Sequence, residues 1–208
     1  IFEHGIIKRR VLEGYTKDSD DWKVGHPILF PHVLFVGGDE TLRMLQYRVP
    51  IDDHNTLHVT FSAFKVAPWV QAPYQERIPY KYVNHRFDDG RFNTTFTIDQ
   101  DKMAWITQGS IAQRQQERLG KSDVGIILYR KLLKDQMKIV ADGGDPINVF
   151  RSKEAAETVT IPTETTALGR DKVKRINYVP LEAGESGAED LLRFAVASWS
   201  TESEHARS

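Results

Sequence analysis

The stretch "DQDKMAWITQGSIAQRQQERLGKSDVGIILYRKLL", from Asp99 to Leu133, opens with two aspartates either side of a glutamine and runs on into apolar sequence. An acid at the front of an apolar helix either caps it or holds something. Capping suits Asp99: a carboxylate there meets the free N–H groups of the first turn and the positive end of the helix dipole. Asp101 is different. Its i+3 and i+4 neighbours are Ala104 and Trp105, which puts it on one face with an apolar stripe expected to be buried. A carboxylate facing a core is costly unless it is paired or bound to a metal. Spacing alone leaves both of those readings open.

Other groups offer less. His54, His58 and Asp101 make a two-histidine, one-carboxylate set on paper. The histidines lie in or beside an expected strand, where four residues span roughly 13 Å. A metal needs both ring nitrogens about 2 Å from one point. His26 and His32 are further apart and share the problem. Histidines beside a sheet are ordinarily hydrogen-bonded core or rim residues. Arg114, Glu117, Asp123 and Arg130 read as a structural ion-pair web in the connector between two helices. "VGGDE" follows an expected strand but lacks the spacing of a phosphate-cradling loop, and there is no G-x-S-x-G elbow for a nucleophilic serine.

The elements that must position these residues change character along the chain. "GIIKRRVLEGY", "HPILFPHVLFVGG", "TLRMLQYRVP" and "TLHVTFSAFKV" read as β structure, the last two joined by the turn "IDDHN". In the last, Leu57, Val59, Phe61 and Ala63 share one face, and His58, Thr60, Ser62 and Phe64 the other. Strands in succession favour an antiparallel sheet. Residues 65–97 carry Pro68, Pro73, Pro79 and many aromatics, with a turn at "FDDGRF", and read as a long lid-like or interface loop. A short helix is expected from Asp99 to about Thr107, stopped by Gln108 and Gly109. A longer one follows, capped by Ser122 with Asp123 in its first turn, amphipathic through Val124, Ile127, Leu128 and Leu132, and broken after Val140 by "ADGGDP". Residues 1–150 thus form an α+β domain, an antiparallel sheet followed by helices. Residues 151–208 read as a polar, extended C-terminal tail with one late amphipathic patch, "AEDLLRFAVASW".

Bulk properties bound the function. The chain has 208 residues, 40% hydrophobic and 27% charged, an ordinary globular balance. Its net charge of −1, without a basic block, argues against a phosphate-reading face and so against nucleic acid as a partner. No apolar run reaches the roughly 20 residues of a membrane span, and no signal-peptide pattern opens the chain, so a cytoplasmic site is the default expectation. The absence of cysteine excludes Cys-ligated zinc and iron–sulfur clusters within this chain. The sequence begins at Ile1 with residues that already read as strand, so a fragment of a longer protein is expected.

The stretch "QDKMAWITQGSIAQRQQERLGKSDVGIILYRKLL" followed by "GGDP", with "EHGIIKRR" and "YRVPIDDHNT" upstream, resembles the C-terminal catalytic domain of Rieske non-haem iron oxygenases. These are the alpha (large) subunits of aromatic ring-hydroxylating systems, and the likeness is to the phthalate 4,5-dioxygenase branch. It covers most of residues 1–150, and its parts are specific in combination rather than singly. The resemblance implies a helix-grip, START-like fold. It implies that Asp101 is the carboxylate of a facial triad holding a mononuclear Fe(II), with Gln100 and Lys102 as flanking residues. It implies an aromatic substrate, with Phe30, His32, Gln46 and Phe92 as candidate pocket residues chosen by strand placement and nearness to the Asp101 helix. It further implies a Rieske [2Fe-2S] cluster in an N-terminal part, electrons from NAD(P)H through a reductase or ferredoxin, and a homotrimer. The sequence departs from the family pattern in having neither the Cys-X-His and Cys-X-X-His cluster ligands nor the closely spaced histidine pair of the iron site. A non-catalytic helix-grip module that binds a hydrophobic ligand or a partner is the competing reading.

Overall fold

The computed structural model describes residues 1–11, 13–36 and 42–162, together with 194, 195 and 197. Most of the tail, including nearly all of the late amphipathic patch, lies outside the described residues. The chain divides into two compact units, one of residues 1–38, 44–61 and 113–167, the other of residues 39–43, 62–112 and 168–208.

The sheet has five strands in the order of the chain: β1 (Gly5–Lys8), β2 (His26–Leu29), β3 (Val33–Val36), β4 (Leu42–Pro50) and β5 (Thr56–Phe64). β1 to β4 pair antiparallel, each with the next. A short helix α1 (Asp20–Lys23) lies in the β1–β2 connection. After the sheet come α2 (Thr97–Ile106), α3 (Val124–Ala141) and the short α4 (Lys153–Glu157). This is the expected α+β order, an antiparallel sheet with C-terminal helices, consistent with a helix-grip fold.

The apolar run that starts at His26 forms two strands. Pro31, after a cis peptide bond from Phe30, stands in the turn that folds it into the β2–β3 hairpin. Proline has no N–H to give a ladder, so the run breaks there. The β4–β5 turn forms as expected. Asp52 Oδ1 accepts from the backbone N–H of His54 and of Asn55, each at 2.7 Å, an Asx turn that fixes the hairpin.

Register sets the core of the first unit. Ile6 pairs with Ile28, Ile28 with Leu34, and Leu34 with Gln46, so these four stand in one row across the sheet. Ile6 and Gln46 at its ends are buried, as are Phe30, Phe35 and Met44. In β5 the apolar side is the exposed one: Leu57, Val59 and Phe61 are 47%, 42% and 40% exposed, while His58, Ser62 and Phe64 are half-buried.

The cap of α3 also differs from expectation. A 3-10 turn over Lys121–Asp123 precedes the helix, and Asp123 Oδ2 accepts from the Gly120 N–H at 2.8 Å. Ser122 makes no cap. Leu128, Tyr129 and Leu132 are half-buried and Gln136 is buried, while Val124 and Ile127 are exposed. The helix ends at Asp142, with Gly143 in the left-handed region at φ +84°, and "ADGGDP" breaks it as its composition demands. Residues 153–157, expected to be extended, form α4. Ser152 starts it by accepting from the Ala155 N–H at 3.1 Å.

Candidate active site

Helix α2 carries the acids. Its N-cap position is Phe96, whose side chain offers no oxygen to the first turn. Asp99 stands three residues in and does not cap; it is 1% exposed, and its Oδ1 accepts from Lys102 Nζ at 2.9 Å. The other oxygen, Oδ2, is buried without a hydrogen-bond partner among the described residues. Asp101 is exposed, and Ala104 and Trp105 with it. The expected burial of the Asp101 face is therefore corrected. The inward stripe of α2 is Ile98, Asp99, Lys102 and Met103, and it follows the i, i+3, i+4 rule. Sequence reasoning saw two acids at the right end of the right helix and buried the wrong one. The signal that separates them is Lys102, which is spaced i+3 from Asp99 and adjacent to Asp101, so only Asp99 can pair with it along the helix.

The approach to α2 is tied down locally. Asn93 is buried, and its Oδ1 accepts from the Thr95 N–H at 3.1 Å. Gln100 Nε2 donates to the Thr94 carbonyl at 3.2 Å. "FDDGRF" closes as a turn with Gly90 at φ +83° and Phe87 N–H donating to the Arg91 carbonyl. Phe92 is half-buried beneath the Arg86 guanidinium, 3.7 Å from its ring centroid. In this unit Phe92 therefore serves a cation–π contact that holds the turn.

The remaining pocket candidates belong to the first unit, so Phe30, His32 and Gln46 are described within it. Phe30 is buried, its ring 6.3 Å from that of Tyr129, and the Tyr129 hydroxyl donates to the Pro31 carbonyl. His32 is half-buried in the β2–β3 turn; its carbonyl accepts from the Arg48 N–H at 3.1 Å, and its Nδ1 is buried without a partner among the described residues. Gln46 Oε1 accepts from Arg48 Nη2 at 2.9 Å, and its Nε2 donates to Met44 Sδ at 3.4 Å. Arg48 thus binds the His32 carbonyl through its backbone and the Gln46 amide through its side chain.

The helix connector forms the ion-pair web that the sequence suggested, less one member. Arg130 grips Glu117 through both nitrogens at 2.6 and 2.9 Å, and Arg114 reaches the same carboxylate at 3.3 Å. The Arg130 hydrogen bonds hold the Glu117 carboxyl below its ordinary range and raise the Arg130 guanidinium in turn. Asp123 is spent on the Gly120 N–H instead.

Among the described residues no three His, Cys, Asp or Glu side chains come together as a metal site. Iron of the facial-triad kind needs three protein donors, so the described residues do not complete such a centre. Asp101 fits the part of one donor. It is an exposed carboxylate with no hydrogen bond or ion pair among the described residues.

Comparison with known proteins places these elements. Residues 78–163, which hold α2, the connector and α3, match the family described as LigXa C-terminal domain like. The chain is 31% identical over 194 residues to the 5,5'-dehydrodivanillate O-demethylase oxygenase subunit of Sphingobium sp. (strain NBRC 103272 / SYK-6), an alignment covering 93% of this chain and 43% of that protein. The chain thus spans less than half the length of this curated relative. No helix among the described residues is long and apolar enough to cross a membrane. The fold, the order of α2 and α3 after the sheet in the chain, and both likenesses agree: the chain is similar to the C-terminal domain of a Rieske-type oxygenase subunit.

Proposed function

We propose that residues 1–150 are the C-terminal part of an oxygenase catalytic domain, with residues 151–208 as its extension, and that Asp101 is the carboxylate ligand of a mononuclear Fe(II). The protein containing this chain would act on an aromatic compound, by ring hydroxylation or O-demethylation. The observation that carries this reading is the exposed carboxylate of Asp101 on α2, without a partner among the described residues, within the segment that matches the family described as LigXa C-terminal domain like. A bound ferrous ion would supply the site for oxygen chemistry, and its charge would offset that of Asp101. The histidine donors and a [2Fe-2S] cluster would come from outside this chain. NAD(P)H would deliver electrons through a reductase or ferredoxin, and a homotrimer in the cytoplasm is the assembly and place proposed.

The relative's substrate, named as 5,5'-dehydrodivanillate, supports a substrate with methoxylated rings. Among the pocket candidates, His32 and Gln46 are best suited to a polar ring substituent. Gln46 carries an amide beside Arg48 and His32 a ring nitrogen, Nδ1, without a partner among the described residues, whereas Phe30 and Phe92 are engaged in ring contacts.

Asp101→Asn tests the reading. The variant of the native protein is expected to lose iron by about tenfold or more, with turnover falling in step. Iron content and turnover within twofold of the parent would remove Asp101 as a ligand and leave a helix-grip module that binds an apolar ligand.

A further inference from the structure

We infer that Tyr129 is the positioning residue of a subsite in which the His32 ring takes a phenolic hydroxyl of the substrate. This deepens the reading of His32 as a contact for a polar ring substituent and rests on it. The residues involved all belong to the first unit. Three carbonyls in a row, those of Phe30, Pro31 and His32, are held by three different parts of the fold. Asn148, in the turn after α3, donates from Nδ2 to the Phe30 carbonyl at 2.6 Å. The Tyr129 hydroxyl, on α3, donates to the Pro31 carbonyl. The Arg48 N–H, on β4, donates to the His32 carbonyl at 3.1 Å.

The last two bonds bear on His32 directly. The Pro31 carbonyl lies in the peptide plane before the His32 Cα, and the His32 carbonyl in the plane after it. Peptide units are planar, so holding both planes restricts φ and ψ of His32 and fixes the direction of its Cα–Cβ bond. The Arg48 bond is an ordinary hairpin contact. The Tyr129 bond ties the turn to a helix, from a side chain that is itself anchored. Its ring lies 6.3 Å from that of Phe30, and burial raises its pKa, which keeps the donated proton on the hydroxyl.

The turn is held firmly, yet the ring it carries is left uncommitted. His32 Nδ1 is buried without a partner among the described residues. Buried polar atoms are ordinarily paired, and a group held ready on a supported backbone suits a bound ligand. A phenolic hydroxyl both donates and accepts, so it pairs with Nδ1 in either tautomer of the ring. An ether oxygen only accepts, needs an Nδ1–H, and brings an extra methyl group. His32 is thus the contact, and Tyr129 acts through it.

Calorimetric titration of the native protein, without reductant, with vanillate and with its phenol methyl ether, veratrate, tests this. The parent should prefer vanillate by about tenfold, the worth of one hydrogen bond. His32→Leu should bring the ratio to about one. Tyr129→Phe keeps the ring and removes the hydroxyl; it should lower the ratio severalfold and leave veratrate binding within about twofold. The double variant should lose no more than His32→Leu alone, because both changes act on one contact. A role in stability alone predicts that Tyr129→Phe melts lower and keeps the parental ratio, and that result overturns the inference. Should Tyr129→Phe fail to fold, Asn148→Gly frees the neighbouring Phe30 carbonyl while keeping the backbone conformation, and the same drop in ratio is expected of it. Equal affinity of the parent for the two probes overturns the inference and leaves the reading of Asp101 untouched, since the titration does not depend on iron content or turnover. Failure of both probes to bind removes it together with the reading of His32 as a substituent contact.

Discussion

At the scale of single residues, buried Asn93 and Gln136 hold backbone, at the N–H groups of Thr95 and Ile147, and His26 shows what burial does to a group that titrates. It is 5% exposed and faces Lys8 across the β1–β2 ladder. Burial, and then the charges of Lys8 and Arg10, drive its pKa from 6.5 down to about 4, with Asp21 opposing. The folded form therefore keeps His26 neutral where the unfolded chain would already bind a proton. Stability linked to this group is complete above about pH 6.5 and is lost as pH falls toward about 4, since only the unfolded state takes up the proton in that window. His26→Leu should flatten the acid limb of a melting-temperature profile between those values and leave the profile above pH 7 parallel to the parent. An unchanged slope between pH 4 and 6.5 would mean that His26 ionises freely in the fold.

At the scale of elements, the question is how the sheet keeps hold of the segment that leaves α3. Asn148 is the fastener. Its Nδ2 donates to the Phe30 carbonyl at 2.6 Å and to the His4 carbonyl at 3.1 Å, and its Oδ1 lies 2.9 Å from His4 Nδ1. It thereby joins the start of β1 and the end of β2 to the turn after α3. It sits at φ +69°, in the left-handed region that asparagine tolerates better than alanine. Asn148→Ala should cost about 4 kcal/mol, roughly one for each of the three hydrogen bonds and one for the backbone penalty. Asn148→Gly should cost about 1 kcal/mol less, because glycine keeps the conformation. Urea denaturation of both variants reads the difference; equal losses would show that the backbone term is absent. None of this was legible in "GGDPIN", since it depends on carbonyls more than a hundred residues away. What was legible follows local rules. The Asx turn at "IDDHN" gave the β4–β5 hairpin, and Gly109 and Gly143 gave the ends of α2 and α3. Ser122 failed as a cap because Asp123, one residue on, bonds back to Gly120 and starts the helix later. For the site, the helix and its pair of acids could be read, but its rotation could not. Periodicity defines two faces and does not say which one turns inward; the i+3 partner of Asp99 does.

At the scale of the whole chain, the described residues expose apolar side chains in a regular pattern. On α3, Ile126, Leu133, Met137 and Val140 fall on one stripe, and they are 46%, 37%, 62% and 52% exposed. The inward side of the helix is instead Leu128, Leu132 and Gln136, so α3 is apolar on two sides where the sequence suggested one. In the same unit, β5 exposes Leu57, Val59 and Phe61. A net charge of −1 gives little repulsion to keep such surfaces apart. Monomeric proteins rarely leave contiguous apolar patches of more than a few hundred Å² open to water. The chain studied by itself is therefore expected to associate with rising concentration and to bind an anilinonaphthalene sulfonate dye. Replacing Met137 and Val140 by lysine should reverse both effects while changing stability by only about 0.5 kcal/mol per site, because neither side chain is buried. Light scattering across a concentration series, with dye fluorescence on the same samples, measures this. A monomer that binds no dye at any concentration would show that the α3 stripe is too narrow to act as a surface, and a large loss of melting temperature in the lysine variants would show that it already packs against something in this chain.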